Sequence, residues 1–135
     1  MRDIAVVAFS QRQEAMINTE SEVEFMVPLM NEAKDAVGLT QQEMGFTCSG
    51  SSDFLAGQAF SFVMTIDGTG PVPPISESHV EQDGAWALYE AWVKLQCGDI
   101  DTAFCFKLTE EAAAQAPAIV RRSTSHSGGS PAGML

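Results

Sequence analysis

The sequence predicts an α/β domain in which strands and helices alternate along the chain. A continuous apolar run opens it, "IAVVAF" (Ile4–Phe9), and such a run is typical of a strand buried on both faces of a parallel sheet or of a buried helix segment. Apolar residues recur at helical spacing over residues 21–38 and again over 83–98. Alternation of this kind predicts strands joined by crossover helices, in a parallel or mixed sheet with buried helices.

The first helix carries its own start and stop signals. Ser21 with Glu24 forms a capping-box pattern, and Gly38 is placed to end the helix. Pro28 falls inside the span, where it predicts a kink or a helix that restarts.

The middle of the chain contains a second strand, a second helix and a short third strand. The strand is "MGFTCSG", which runs into a glycine–serine turn. The segment at 53–68, "DFLAGQAFSFVMTIDG", is apolar on nearly every side, so it predicts a helix covered by several neighbours. A proline-rich stretch then leads to the third strand near residues 77–80.

The clearest helix is "DGAWALYEAWVKLQCGD", with Asp83 as its N-cap and Gly98 at its end. Trp86, Tyr89 and Trp92 lie three apart, and we expect them to pack in the core or at a dimer interface. "DTAFCFKL" predicts a fourth strand after it. These elements place the domain at residues 1–111.

Residues 112–135 differ in composition from the rest. They contain no acidic residue, and alanine, serine, glycine and proline dominate. This composition predicts a flexible extension. It is also what a GC-rich gene yields when translated out of frame, so a frameshift is one hypothesis for the tail.

Charge and cysteine content exclude several classes of function. The net charge of −11 argues against binding to nucleic acid or to an anionic membrane surface. The opening apolar run is too short for a signal peptide or a membrane span. Three cysteines without a CxxC pair indicate neither a disulfide framework nor a metal site, and they favour a reducing cytoplasm.

Two groups of residues are candidates for chemistry. Cys48 stands before a run of serines and glycine, which predicts either a reactive thiol or a small buried hydrophobe; we favour burial, as we do for Cys97 and Cys105. His79 and Glu81 share one face of a strand and are a candidate proton-transfer pair. The alternatives are a structural histidine and a first-turn acid that complements the helix dipole.

Three long segments together resemble one family. They are "IAVVAFSQ", "GFTCSGSSDFLAGQAFSFVMTIDG" and "PPISESHVEQDGAWALYEAWVKLQCGDIDTA". They resemble the N-terminal part of thiolases, and within them the actinobacterial group of lipid-transfer proteins and acetyl-CoA acetyltransferases. The resemblance implies an αβαβα sandwich of two similar halves, of which this chain would supply an incomplete part. It also implies an acyl-CoA substrate, with no covalently bound cofactor.

The resemblance changes the assignment of the candidate residues. The reactive cysteine of thiolases lies in a C-x-S-G turn before a buried helix, and aligning "EQDG" with that turn places Glu81 at the cysteine position and Gly84 at the glycine. Cys48 is therefore not expected to be the nucleophile. The resemblance thus makes Glu81 a candidate catalytic residue and Gly84 a candidate substrate contact, and the spacing adds His79 as the catalytic partner of Glu81. Ser49 and Gly50 lie in a small-residue loop that could approach a CoA chain or a partner subunit; the alternative is a helix entry capped by Ser52 or Asp53.

Three hypotheses about function follow. Relatives without the cysteine include retro-aldol lyases that cleave steroid side-chain CoA thioesters together with an OB-fold partner, so the family class is an acyltransferase or a C–C lyase. We expect little or no activity from this chain alone, because the resemblance places further catalytic residues in a second half. A second hypothesis is a non-catalytic module that pairs with itself, a thiolase-like protein or an OB-fold protein. A third is a gene fragment without function.

Overall fold

The computed structural model describes residues 1–13, 22–52, 76–107, 114–115 and 118–122. The predicted helix at 53–68 and the predicted cap at Ser21 lie outside these residues. The elements are strands β1 (Ile4–Phe9), β2 (Arg12–Gln13), β3 (Phe46–Gly50), β4 (Glu77–Val80), β5 (Thr102–Lys107), β6 (Ala114–Gln115) and β7 (Ala118–Arg122), helices α1 (Glu22–Val37) and α2 (Gly84–Cys97), and a 3-10 turn at Gln41–Glu43.

Five of the strands form one mixed sheet in the order β1-β7-β5-β3-β4. Strands β3, β4 and β5 are parallel, and β7 runs antiparallel to both of its neighbours. Strands β2 and β6 pair separately as a short antiparallel ladder. The mixed α/β fold that the alternation of elements predicts is therefore confirmed.

Strand β1 lies where the sequence predicts a strand, but its environment differs from the prediction. It pairs antiparallel with β7, and among the described strands β7 is its neighbour in the sheet. Val6 and Phe9 are 55% and 60% exposed. The prediction of a strand buried on both faces of a parallel sheet was wrong, because β1 pairs antiparallel with β7 and the packing on the sheet leaves Val6 and Phe9 exposed.

The sheet separates two apolar clusters. One lies under α2 and contains Phe46, Cys48, Ala87, Ala91, Leu95, Ala103, Cys105 and Val120. The other lies under α1 and contains Ala8, Met26, Met30, Ala33, Phe104, Phe106 and Ile119. Alternate residues of β5 enter opposite clusters, as the two-residue period of a strand requires. Small side chains at Ala87 and Ala91 let α2 approach the sheet closely.

The helix ends follow the sequence signals. Gly38 and Gly98 adopt positive φ values of 65° and 85°, which glycine accepts without strain, and they end α1 and α2. Asp83 caps α2 as predicted. Helix α1 is continuous through Pro28, so the alternative of a helix that restarts was wrong, and the alternative of a kink remains a prediction.

The segment after residue 111 contributes a strand that its composition did not indicate. Residues 118–122 form β7, between β1 and β5, and Ile119 and Val120 are buried in the two clusters. A strand of only five residues is stable here because it pairs with a neighbouring strand on each side. The domain boundary at residue 111 remains a prediction. Within the described part of the chain, no helix has both the length and the apolar character needed to cross a membrane.

Candidate functional site

The carboxyl ends of β3 and β4 bring most of the candidate residues together. The two strands are parallel, and their register places Ser49 opposite His79 and Gly50 opposite Val80. Because parallel strands end at the same edge, the residues that follow them meet there. In open α/β sheets this edge is where ligands usually bind.

A short hydrogen-bonded chain of side chains runs along this edge. The Ser49 Oγ lies 2.9 Å from the His79 Nδ1, and the His79 Nε2 lies 3.5 Å from the Glu81 Oε2. The spacing of His79 and Glu81 predicts that they share a face, and the structure brings them into contact as expected. Their catalytic roles remain predictions.

The three side chains differ in exposure, from the interior to the solvent. Ser49 is buried, the His79 side chain is 13% exposed and the Glu81 side chain is 56% exposed. Cys48 belongs to the cluster under α2, so the next residue, Ser49, points to the other face of the sheet. The chain from Ser49 to Glu81 therefore lies on the face opposite α2 and reaches solvent at the strand ends.

Helix α2 begins at the same edge of the sheet, but it packs on the face opposite to the Ser49 and His79 side chains. The Asp83 carboxylate accepts hydrogen bonds from the backbone N–H groups of Ala85 at 2.9 Å and Trp86 at 3.4 Å. This cap satisfies two of the amide groups that a helix N-terminus leaves unpaired. The start of α2 is thus already occupied by a carboxylate from the chain itself.

Gly50 and Gly84 have packing reasons to be glycine. A Cβ on Gly50 would lie 2.2 Å from the Asp83 carbonyl oxygen, and a Cβ on Gly84 would lie 3.0 Å from the Lys107 Cβ. The end of β3 therefore touches the backbone at the start of α2. Their predicted contacts with a substrate, like that of Ser49, remain predictions.

The cysteines do not provide a reactive thiolate at the start of α2. Burial raises the pKa of Cys48 to about 12, and the nearby Glu90 carboxylate adds to the rise. Burial likewise raises the pKa of Cys105 to about 12, and the Cys105 Sγ donates to the Ala87 carbonyl oxygen at 3.6 Å. The prediction of buried thiols is confirmed for these two. It was wrong for Cys97, which is exposed at the far end of α2.

A largely apolar groove of about 300 Å³ adjoins the start of α2. Sequence reasoning did not find it, because its walls come from four separate elements. Its lining residues are Val6, Phe9, Gly84, Ala85, Leu88, Cys105, Phe106, Lys107 and Ala118. No local pattern links these positions, so only the folded chain could reveal them.

The aromatic residues of α2 lie on its surface. Trp86 and Tyr89 are 53% and 56% exposed. Their rings meet edge to face with centroids 5.9 Å apart, and Tyr89 stacks on Trp92 at 6.0 Å. The alternative of core packing was wrong for Trp86 and Tyr89, and the alternative of an interface remains a prediction. Among the described residues, no group of three or more potential ligands could hold a metal ion.

No protein-family model and no curated protein sequence matches this chain. Several solved structures, however, align with it. 3-Oxoacyl-[acyl-carrier-protein] synthase III from Aquifex aeolicus VF5 aligns with a TM-score of 0.72 and 8% identity, over 90% of this chain and 54% of that one. A variant of OleA from Xanthomonas campestris aligns with a TM-score of 0.65 and 11% identity, over 89% of this chain and 56% of that one.

A ketosynthase from the bacillaene synthase of Bacillus subtilis 168 also aligns, with a TM-score of 0.61 and 11% identity, over 88% of this chain and 36% of that one. The chain thus spans about half the length of the first two structures, and less of the third. Identities this low show the fold alone. The described residues form part of the thiolase-like fold that these enzymes share.

Proposed function

We propose that this chain is the N-terminal part of a thiolase-fold protein that acts on acyl-CoA thioesters in lipid metabolism, with a carboxylate and an imidazole where thiolases use a thiolate. The observation that carries the proposal is the contact between His79 and Glu81 at the carboxyl edge of the sheet, beside the start of α2. The buried, high-pKa thiols of Cys48 and Cys105 support the same conclusion.

A carboxylate suits carbon–carbon cleavage better than acyl transfer. In a retro-aldol reaction, Glu81 would remove the proton from the hydroxyl of a 3-hydroxyacyl thioester. The bond between C2 and C3 then breaks, C3 becomes a carbonyl carbon, and the electron pair forms a thioester enolate at C2. The proton held by Glu81 returns to C2, so the step needs no external oxidant or reductant.

The groove beside α2 fits the apolar part of such a substrate. It lies next to the helix that directly follows Glu81, and Val6, Phe9 and Leu88 give it apolar walls. Lys107 is the cationic residue among its lining and could pair with a phosphate of CoA. In this proposal the acyl chain lies in the groove and the reacting carbons lie at the ends of β3 and β4.

Ligand-binding NMR on the purified chain tests the proposal. We expect a 3-hydroxyacyl-CoA to shift backbone amide signals at residues 49–50, at residues 81–85 and along the groove. We expect no cleavage above the uncatalysed rate, because the chain spans about half of its longer structural neighbours. Phe9→Ser should weaken binding, while Glu77→Gln, an exposed acid on the same strand as His79, should not.

Two results would contradict this function. Failure of every acyl-CoA to bind at millimolar concentration would exclude a thioester site in this chain. Thiolysis or aldol cleavage by the chain alone would show that the site is already complete, against our expectation.

The exposed aromatic face of α2 favours a second candidate, a non-catalytic assembly module. The side chains of Trp86 and Tyr89 are both more than half exposed, and aromatic residues are enriched at protein interfaces. On this hypothesis the chain co-purifies with an OB-fold or thiolase-like partner, or with itself, and turns over no CoA ester. Trp86→Ser with Tyr89→Ser would then abolish the complex, and an unchanged complex would exclude this face.

A further inference from the structure

We propose that Ser49 is a positioning residue whose hydroxyl selects the tautomer of His79, so that the His79 Nε2–H donates to the Glu81 carboxylate. The functional meaning rests on the proposed function, in which Glu81 is the base. The contacts themselves do not depend on it. The sequence suggested only a substrate or partner contact for Ser49, whereas the structure places its Oγ 2.9 Å from the His79 Nδ1.

The hydrogen-bonding capacity of each group determines the direction of the bonds. An ionised carboxylate only accepts hydrogen bonds, so the contact at 3.5 Å is a hydrogen bond when the His79 Nε2 carries the proton. A neutral imidazole carries one proton, which leaves its Nδ1 as an acceptor. A serine hydroxyl can donate, and the Ser49 O–H therefore points to that Nδ1.

Ser49 is held firmly enough to perform this role. It lies on β3, which is paired with β4 on one side and β5 on the other. Its backbone is fixed opposite His79 and Phe106 in those ladders. The buried hydroxyl has little access to water, so the hydrogen bond to the ring is not readily exchanged for one to solvent.

A nucleophilic role for Ser49 fits the geometry less well. Its side chain is buried and points away from α2, whose N-terminal amides would be the natural donors for an oxyanion. Those amides are also capped by Asp83. Attack by Ser49 on a CoA thioester would leave the resulting oxyanion without these donors.

The tautomer is measured directly by long-range ¹H–¹⁵N NMR of the ¹⁵N-labelled full chain at about pH 8, above the ordinary histidine pKa. The chain has two histidines, and His126→Asn identifies the signals of His79. We expect an unprotonated Nδ1 and a protonated Nε2. Ser49→Ala should shift the tautomer ratio toward the Nδ1–H form by about fivefold, the equivalent of one ordinary net hydrogen bond.

Two control variants distinguish an effect of the Ser49 hydroxyl on the His79 tautomer from an effect of packing. Ser49→Thr keeps a hydroxyl and should retain the tautomer. Thr47→Ala removes a hydroxyl from the same face of β3 and should leave the His79 signals unchanged. If Ser49→Ala does not fold, a proton on the His79 Nδ1 in the wild-type or Ser49→Thr spectrum still overturns the proposal.

Three results would overturn the proposal: a proton on Nδ1 in the wild type, a Ser49→Ala spectrum with the wild-type ratio, or acylation of Ser49 by an activated ester. Failure of acyl-CoA to bind would refute the proposed function and leave this measurement intact. The two hypotheses therefore fail separately.

Discussion

Replacing Gly50 by alanine tests the contact on which the site depends. The added Cβ would lie 2.2 Å from the Asp83 carbonyl oxygen, 2.4 Å from its carbon and 2.9 Å from the Gly84 nitrogen. The shortest of these falls more than an ångström below the 3.4 Å at which ordinary van der Waals contact begins. All three atoms are backbone, so no side-chain rotation can relieve the clash.

We expect Gly50→Ala to lower the free energy of unfolding by about 3 kcal/mol, the upper part of the range for overpacked sites. With a urea dependence of about 2 kcal/mol per molar, the unfolding midpoint would fall by about 1.5 M. Circular dichroism and tryptophan fluorescence both report the transition. Both tryptophans lie on α2, whose start must move.

Gly38→Ala is the matched control. Its Cβ would have nothing within 4 Å, so the φ of +65° alone is costly there. We expect a loss of about 1 kcal/mol, as for a residue forced into the left-handed region. Both substitutions change the unfolded chain alike. A Gly50→Ala midpoint equal to or above that of Gly38→Ala would refute the close contact between β3 and α2.

Three further predictions concern α2 and the thiols. Asp83→Ala removes the N-cap and should cost about 1 kcal/mol in urea unfolding, while an unchanged midpoint would show that the cap is dispensable. Iodoacetamide should alkylate Cys97 alone in the native protein and all three cysteines in urea, as mass spectrometry would show. Cys48 and Cys105 have pKa values raised from 9.0 to about 12, so their thiols lose protons at lower pH in the unfolded chain than in the folded one. The free energy of unfolding should therefore fall as the pH rises from 9 toward 12. A free energy of unfolding that stays constant over this range would contradict the burial of the two thiols.

Local signals in the sequence located most of the described elements. The cap at Asp83, the glycine ends at Gly38 and Gly98, and the β-rich runs each act over a few residues, so they hold in almost any tertiary context. The contact between His79 and Glu81 is also a local feature, since residues two apart on a strand share a face. These features were predictable without knowledge of the fold.

Features that depend on distant partners were not predictable in this way. The apolar run Ile4–Phe9 has the composition of a buried strand, yet Val6 and Phe9 are exposed and its partner among the described strands is β7, from a distant part of the chain. The apolar face of α2 likewise suggested a core position for Trp86, which the sheet leaves exposed since α2 already buries Ala87 and Ala91 against it.

The sequence by itself determined most of the described strands and helices, though not β7, and it determined where α2 begins and ends and that His79 and Glu81 lie together. Tertiary structure alone decided that Ser49 joins them, because only the register of β3 with β4 brings residues thirty apart into contact. It also decided that the groove has walls from four elements and that Gly50 touches Asp83. Strand pairing and helix packing bring together residues that are distant in the sequence, so the local spacing of residues does not predict them.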